Sequence, residues 1–241
     1  MSNRDRNIAA IKIVAEGLMP LMEPVIFVGG ATVGLYIDAP AVPEIRMTQD
    51  VDCVVEVDFL RMTLLTEKLI AAGFTPTPPV ICRYAYRGIV VDIMPADSKV
   101  FGFSNRWYSD AISRRQPYRL SQERLVYVFS FPDFVATKLE AFNGRGSLDW
   151  LVSSDLEDII AVLDGRTTAE TELIATSGPL GEYIRAQFGT MLSNAGFDDI
   201  LSGHLGAYPG QLNEQRAQRV RVLMERVARA PLSATPSSAM K

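Results

Sequence analysis

A chain of 241 residues is long enough for one large domain or two modest ones sharing a core, and 48% apolar with 22% charged residues is a globular balance that excludes general disorder. A formal net charge of -4 and a pI near 5.2 exclude a protein that coats nucleic acid through bulk positive charge, while leaving room for a local basic groove. Cys53, Cys82 and His204 are too few to assemble a Cys/His zinc centre or a secreted disulfide scaffold. The first residues lack an apolar signal-peptide core, and no apolar run approaches the roughly 20 residues needed to span a bilayer. The expectation is a cytoplasmic protein with no membrane partner.

Apolar residues recur at helical spacing from Asn7 to Met22 (Ile8, Ile11, Val14, Leu18), which predicts an amphipathic helix broken by Pro24. Val25 to Val28 is wholly apolar and suits a buried strand ending at Gly29-Gly30. A short helix is expected over Ala31 to Ile37 and a loop from Asp38 to Thr48. Val51 to Val57 predicts a strand, and Phe59 to Ala72 a helix stopped by Gly73. Val80 to Tyr86 and Ile89 to Met94 flank Arg87-Gly88 as a hairpin would, and Leu125 to Phe129 predicts one more strand.

Beyond that point the pattern turns helical. Pro132 suits the first turn of a helix reaching about Phe142, and Ser153-Ser154-Asp155 with Glu157 supplies caps for another to about Leu163. Further helices are expected at 169–176, 180–194 and 213–230. The predicted organisation is a mixed α/β region over residues 1–130, a helical region over 131–230 and a small polar tail over 231–241 that frays.

Chemistry concentrates in the front half. Side chains alternate faces along a strand, so Asp50 and Asp52 point the same way at the start of theirs. Paired carboxylates repel unless a cation lies between them, and magnesium prefers such hard oxygen ligands; the bland alternative is a solvated strand end. Asp92 interrupts the apolar run Ile89 to Met94 and must face water, a partner or a metal. Should that strand lie beside the first, three acids converge, a two-metal site becomes feasible, and Asp92 is placed to take the proton of an attacking hydroxyl. The alternative is an edge-strand acid facing solvent. Gly29-Gly30 lets backbone amides approach phosphate, with a following helix adding its dipole. A dinucleotide-binding turn fits less well: the spacing Gly29, Gly30, Gly34 departs from G-x-G-x-x-G and leaves Asp52 and Asp92 without a role.

Val28-Gly29-Gly30, Arg46 to Asp52 and Val91-Asp92-Ile93-Met94 together resemble the polymerase-beta-type nucleotidyltransferase superfamily. Thr48, shortly before the acid pair, extends the resemblance to the AbiEii/AbiGii-type abortive-infection nucleotidyltransferases, toxins of bacterial toxin–antitoxin pairs. So do Lys138 to Phe142 with Arg145, and the acidic run Asp155 to Ile159. Ser154 departs from that family, which often has arginine or lysine at this place.

The resemblance spans roughly residues 25–163 and implies an α+β fold: a nucleotidyltransferase-type mixed sheet flanked by helices, then a helical C-terminal region. It implies transfer of a nucleoside monophosphate from a nucleoside triphosphate to an acceptor, with tRNA or another RNA as one such acceptor, and a cognate antitoxin as partner. Asp50, Asp52 and Asp92 would be catalytic and hold Mg2+, for which Mn2+ can substitute. Gly29, Gly30 and Thr48 would hold phosphate, Lys138 would neutralise it, and Asp155 would orient Lys138 or Arg145. The bland readings are a snorkelling surface lysine for Lys138 and a helix N-cap for Asp155. Other acceptors, such as an antibiotic-like small molecule, or a binding protein without turnover, are the alternatives. Arg114-Arg115 reads as a solvated pair or a nucleic-acid contact. The basic run Arg216, Arg219, Arg221, Arg226, Arg229 reads as the hydrated face of an amphipathic helix or an RNA-facing one.

Overall fold

The computed structural model describes residues 1–21, 24–39, 45–102, 104–145, 150–205 and 211–231. The chain forms two compact units, Met1–Leu35 with Glu44–Ser130, and Tyr36–Pro43 with Phe131–Lys241.

The first unit is built on a seven-stranded mixed sheet among the described residues. The strands are β1 (Val25–Val28), β2 (Asp50–Val55), β3 (Thr75–Pro76), β4 (Arg83–Tyr86), β5 (Ile89–Pro95), β6 (Gln116–Ser121) and β7 (Arg124–Val128). Their order is β3-β4-β5-β2-β1-β7-β6. The hairpin around Arg87-Gly88 forms as the turn chemistry predicts, with both residues at positive φ. β5 then lies parallel to β2, and β1 lies antiparallel to β2 on its other side. β2 and β5 are therefore interior strands, and their apolar content follows from burial on both faces.

One face of this sheet is covered by α1 (Asn3–Leu18) and α3 (Phe59–Ala71), which bury Ile11, Val14, Leu65 and Leu69 with Val51, Cys53, Val91 and Ile93. On the other face, Ile26, Val28 and Val54 pack with Ala111 and Ile112 of α5 (Tyr108–Ser113). A short α4 (Ser98–Phe101) leads into that cover. Continuing along β2 toward its start, the same face changes from Val54 to Asp52 and Asp50, where the apolar cover gives way to carboxylates.

α1 starts at Asn3, four residues before the predicted start, because Ser2 and Asp5 form a reciprocal capping box. It ends at Leu18, so Pro24 is not what stops it; Met22, the predicted end, lies outside the described residues. β6 has no counterpart among the predicted strands. Its sequence is polar and contains Pro117, which a strand tolerates at a sheet edge, and β6 is an edge strand.

The second unit is helical: α6 (Phe131–Gly144), α7 (Ser154–Gly165), α8 (Ala169–Ala175), α9 (Gly178–Leu192), α10 (Phe197–His204) and α11 (Gln211–Arg229). Leu139, Ile159, Ile184, Phe188, Phe197, Met224 and Val227 are fully or almost fully buried in its core. α10 is absent from the predicted elements although Phe197, Ile200 and Leu201 carry a helical i, i+3, i+4 pattern. Of the tail predicted to fray over 231–241, residues 232–241 lie outside the described residues.

Candidate active site

Strand register assembles the acids. Asp52 on β2 is directly opposite Asp92 on β5, and Val28, the residue before the Gly29-Gly30 turn, is opposite Asp52 on the other side. Directly paired residues share a face, as do residues two apart on a strand. Asp50, Asp52 and Asp92 consequently converge, each offering an oxygen, with these atoms all within 4.8 Å of one another. Asp92 is on an interior strand between β4 and β2, which excludes the edge-strand reading. Asp50 keeps 37% of its side chain exposed and Asp92 12%, so the cluster is reached from the Asp50 side.

An arginine completes the row. Arg83 on β4 is the register partner of Asp92. Its Nε donates to Asp92 Oδ1 at 2.8 Å and its Nη2 to Asp92 Oδ2 at 2.7 Å, a bidentate charge-assisted pair. The same Nη2 lies 3.7 Å from Asp50 Oδ2. Those hydrogen bonds and the nearby negative charge push the already high pKa of the guanidinium further up. Arg83 falls in a predicted strand with no role read from the sequence; its register, the fourth pair from the Arg87-Gly88 turn and opposite Asp92, is the signal that marks it.

The Gly29-Gly30 turn is built around these groups. Gly29 has φ 71° and ψ -166°, a backbone region essentially reserved for glycine. A Cβ there would lie 2.8 Å from Asp52 Cγ and closer still to Asp52 Oδ2. A Cβ on Gly30 would lie 2.8 Å from Thr48 Cγ2 and closer still to the Arg46 guanidinium. Gly29, Gly30, Arg46, Thr48 and Asp52 thus lie close together. The expected dipole contribution needs correction: the turn continues as one 3-10 turn, Gly30–Thr32, and a four-residue α2 (Val33–Tyr36). A helix that short has little macrodipole.

Asn7 of α1, 2% exposed, holds the approach to the acids. Its side-chain amide donates to Arg46 O at 3.1 Å, and its Oδ1 accepts from Thr48 N at 3.2 Å and Thr48 Oγ1 at 3.3 Å. A polar residue among the apolar positions of an amphipathic helix was the available signal for it.

Lys138 and Asp155 belong to the second unit. Lys138 is 7% exposed, which rules out a snorkelling surface lysine. Its Nζ lies 3.0 Å from Asp155 Oδ1 and 2.6 Å from Asp158 Oδ2. Burial alone would depress the ammonium pKa, but the Asp158 and Asp155 carboxylates outweigh it and hold it above its ordinary value. Asp155 also accepts from Arg145 at 2.7 Å, so it is the shared partner of both cations. The helix N-cap is Ser153, whose hydroxyl accepts from Leu156 N, and not Asp155.

The basic run of α11 is ion-paired. Arg216 and Arg219 both pair with Asp164; Arg221 pairs with Asp198, Arg226 with Glu170, and Arg229 with Glu225. Arg115 lies over the Tyr127 ring. His204 bonds Trp150 O through its ring at 2.7 Å. Cys53 and Cys82 are buried free thiols.

The three carboxylates fit a divalent cation by their donor chemistry. They are hard oxygen ligands, and an oxygen that accepts one Arg83 hydrogen bond retains a second lone pair. Together, the mixed sheet, its flanking helices, the helical C-terminal region and this acidic cluster define a nucleotidyltransferase-like fold with a site that can hold a metal. Among solved structures, an antigenic nucleotidyltransferase-like protein from Paracoccidioides brasiliensis is similar, with a TM-score of 0.55 and 18% identity over 83% of this chain and 92% of that one. No protein-family model and no curated protein matches the chain.

Proposed function

We propose that the protein is a metal-dependent nucleotidyltransferase that moves a nucleoside monophosphate from a nucleoside triphosphate to an acceptor hydroxyl. The observation that carries this reading is the convergence of Asp50, Asp52 and Asp92 beside the Gly29-Gly30 turn. Asp50, Asp52 and Asp92 are assigned to hold Mg2+, with Mn2+ as substitute. When bound, the ion supplies charge neutralisation for the triphosphate and for the pyrophosphate that leaves.

The chain's own groups do the rest. The backbone amides of Gly29 and Gly30 are assigned to the phosphates, with Asp52 and the Arg46 guanidinium filling the space a side chain on the turn would need, and Thr48, whose hydroxyl donates to Asn7 Oδ1, is assigned beside them. The acceptor oxygen bonds to the α-phosphorus, the bond from that phosphorus to the bridging oxygen breaks, and pyrophosphate departs. Asp92 is assigned the hydroxyl proton, taken on the lone pair that an Oδ retains beside its hydrogen bond from Arg83. Lys138 and Asp155 are assigned to the nucleotide side, with Asp155 orienting both Lys138 and Arg145, whose side chain is 70% exposed.

The acceptor proposed is RNA, tRNA first, in a bacterial toxin–antitoxin setting with a cognate antitoxin as partner. This rests on the motif resemblance of Arg46 to Asp52 and Lys138 to Ile159. The test is incubation with each α-labelled triphosphate, magnesium and total bacterial RNA. Label in a tRNA-sized band supports the reading and names the nucleotide; label only on added small-molecule acceptors replaces RNA with that class.

A further inference from the structure

No step of the proposed transfer is assigned to Arg83, yet its guanidinium reaches two of the three carboxylates. It grips both oxygens of Asp92 and lies 3.7 Å from Asp50 Oδ2. The geometry is that of a planar fork matched to a carboxylate, which a lysine cannot reproduce. Three carboxylates within 4.8 Å repel one another, and this arginine offsets part of that repulsion without any metal.

We propose that Arg83 is the resident counter-ion of the acidic cluster and that a divalent cation binds in competition with it. The inference rests on the metal-site reading of Asp50, Asp52 and Asp92, and adds a regulation to it. A cation entering between Asp50 and Asp92 meets the positive charge of Arg83 directly. Binding therefore requires the guanidinium to withdraw from Asp50 and to share Asp92. Free metal binds weakly as a result. A metal arriving with a triphosphate binds better, because the phosphates supply negative charge that draws Arg83 off. The site would stay protected from adventitious divalent ions until nucleotide arrives.

The test is a Mn2+ titration followed by the electron paramagnetic resonance of free Mn2+, without nucleotide, on the full chain. Removing a unit charge a few ångströms from a divalent ion should tighten binding roughly tenfold. Arg83→Gln is thus expected to bind Mn2+ about tenfold more tightly than the intact protein, and Arg83→Lys, which retains the charge, within about threefold of it. Unchanged or weaker binding by a folded Arg83→Gln overturns the proposal and makes Arg83 a support for Asp92. A second readout uses the intact protein: the Arg83 Nε–H resonance in a nitrogen-correlated NMR spectrum should shift as Mg2+ saturates, and a resonance that stays fixed at saturation also overturns it. Asp52→Asn separates the two readings. Saturable binding that Asp52→Asn removes but Arg83→Gln leaves unchanged defeats only the counter-ion proposal. Absence of any binding sensitive to Asp52→Asn defeats the metal site itself.

Discussion

Gly29 and Asp52 are fitted to each other: the carboxylate occupies the space that a side chain on Gly29 would need. The fit follows from register, because Val28 is the direct partner of Asp52 and the chain must turn immediately after it. Gly29→Ala should therefore cost about 1–3 kcal/mol through backbone strain and also push Asp52 out of the cluster. Melting temperature and Mn2+ affinity should both fall. Gly88 provides the control, since it has φ 81° and a Cβ added there would meet no atom within 4 Å. Gly88→Ala should lower the melting temperature while leaving Mn2+ affinity intact; equal metal affinity in both variants would contradict the fit.

Asn7 links α1 to the segment that carries Arg46 and Thr48. Truncating it to alanine leaves a buried amide and carbonyl without their partner, at a cost of about 1–3 kcal/mol. The expected kinetic signature is a raised KM for triphosphate with a smaller change in kcat, because the acids themselves are held by the sheet. A kcat loss with KM unchanged would place Asn7 in a different role.

Lys138 balances two carboxylates whose side chains are 3% and 1% exposed. Lys138→Met should destabilise the second unit by about 3–5 kcal/mol, measured by denaturant unfolding. The pH dependence follows from the raised ammonium pKa. Stability from this group is full below its unfolded pKa near 10.5 and is lost as pH rises through the higher folded value. Alkaline unfolding of the intact protein above that pH should therefore be steeper than that of Lys138→Met. Parallel curves would count against the charged cluster.

Cys53 is fully buried and Cys82 nearly so, and burial pushes both thiols above their ordinary pKa, with the nearby Asp52 and Asp92 charges adding to it. Thiolates are the reactive species, so a thiol reagent at neutral pH should label neither residue in the native protein and both after denaturation. Rapid native labelling of Cys82 would show that the hairpin beside Arg83 opens.

Much of the site was legible because each part has a local signature: the Gly29-Gly30 turn, the alternation that puts Asp50 and Asp52 on one face, and an acid inside the apolar run around Asp92. What local patterns do not encode is strand order. That β5 lies beside β2 in parallel, with Asp92 opposite Asp52, depends on a crossover that no short stretch reveals. Arg83 is marked by hairpin register and Asn7 by being polar on an apolar helix face, but the partners of Asn7 lie about 40 residues away and meet it only in three dimensions. β6 escaped because edge position overrides strand propensity at Pro117. The arginine-rich α11 shows the opposite limit: its charge pattern was visible, but Asp164, Asp198 and Glu170, which pair with it, come from other helices.

The central claim, that the acidic cluster performs nucleotidyl transfer, is tested most directly by pyrophosphate release. The intact protein and Asp52→Asn, matched by circular dichroism and melting temperature, would be compared with triphosphate, bacterial RNA and magnesium, and again with chelator. The account predicts release that requires magnesium and falls roughly a hundredfold or more in Asp52→Asn, the scale of losing a main electrostatic contributor to the transition state. Release that persists in a folded Asp52→Asn variant, or that is indifferent to chelator, would contradict it.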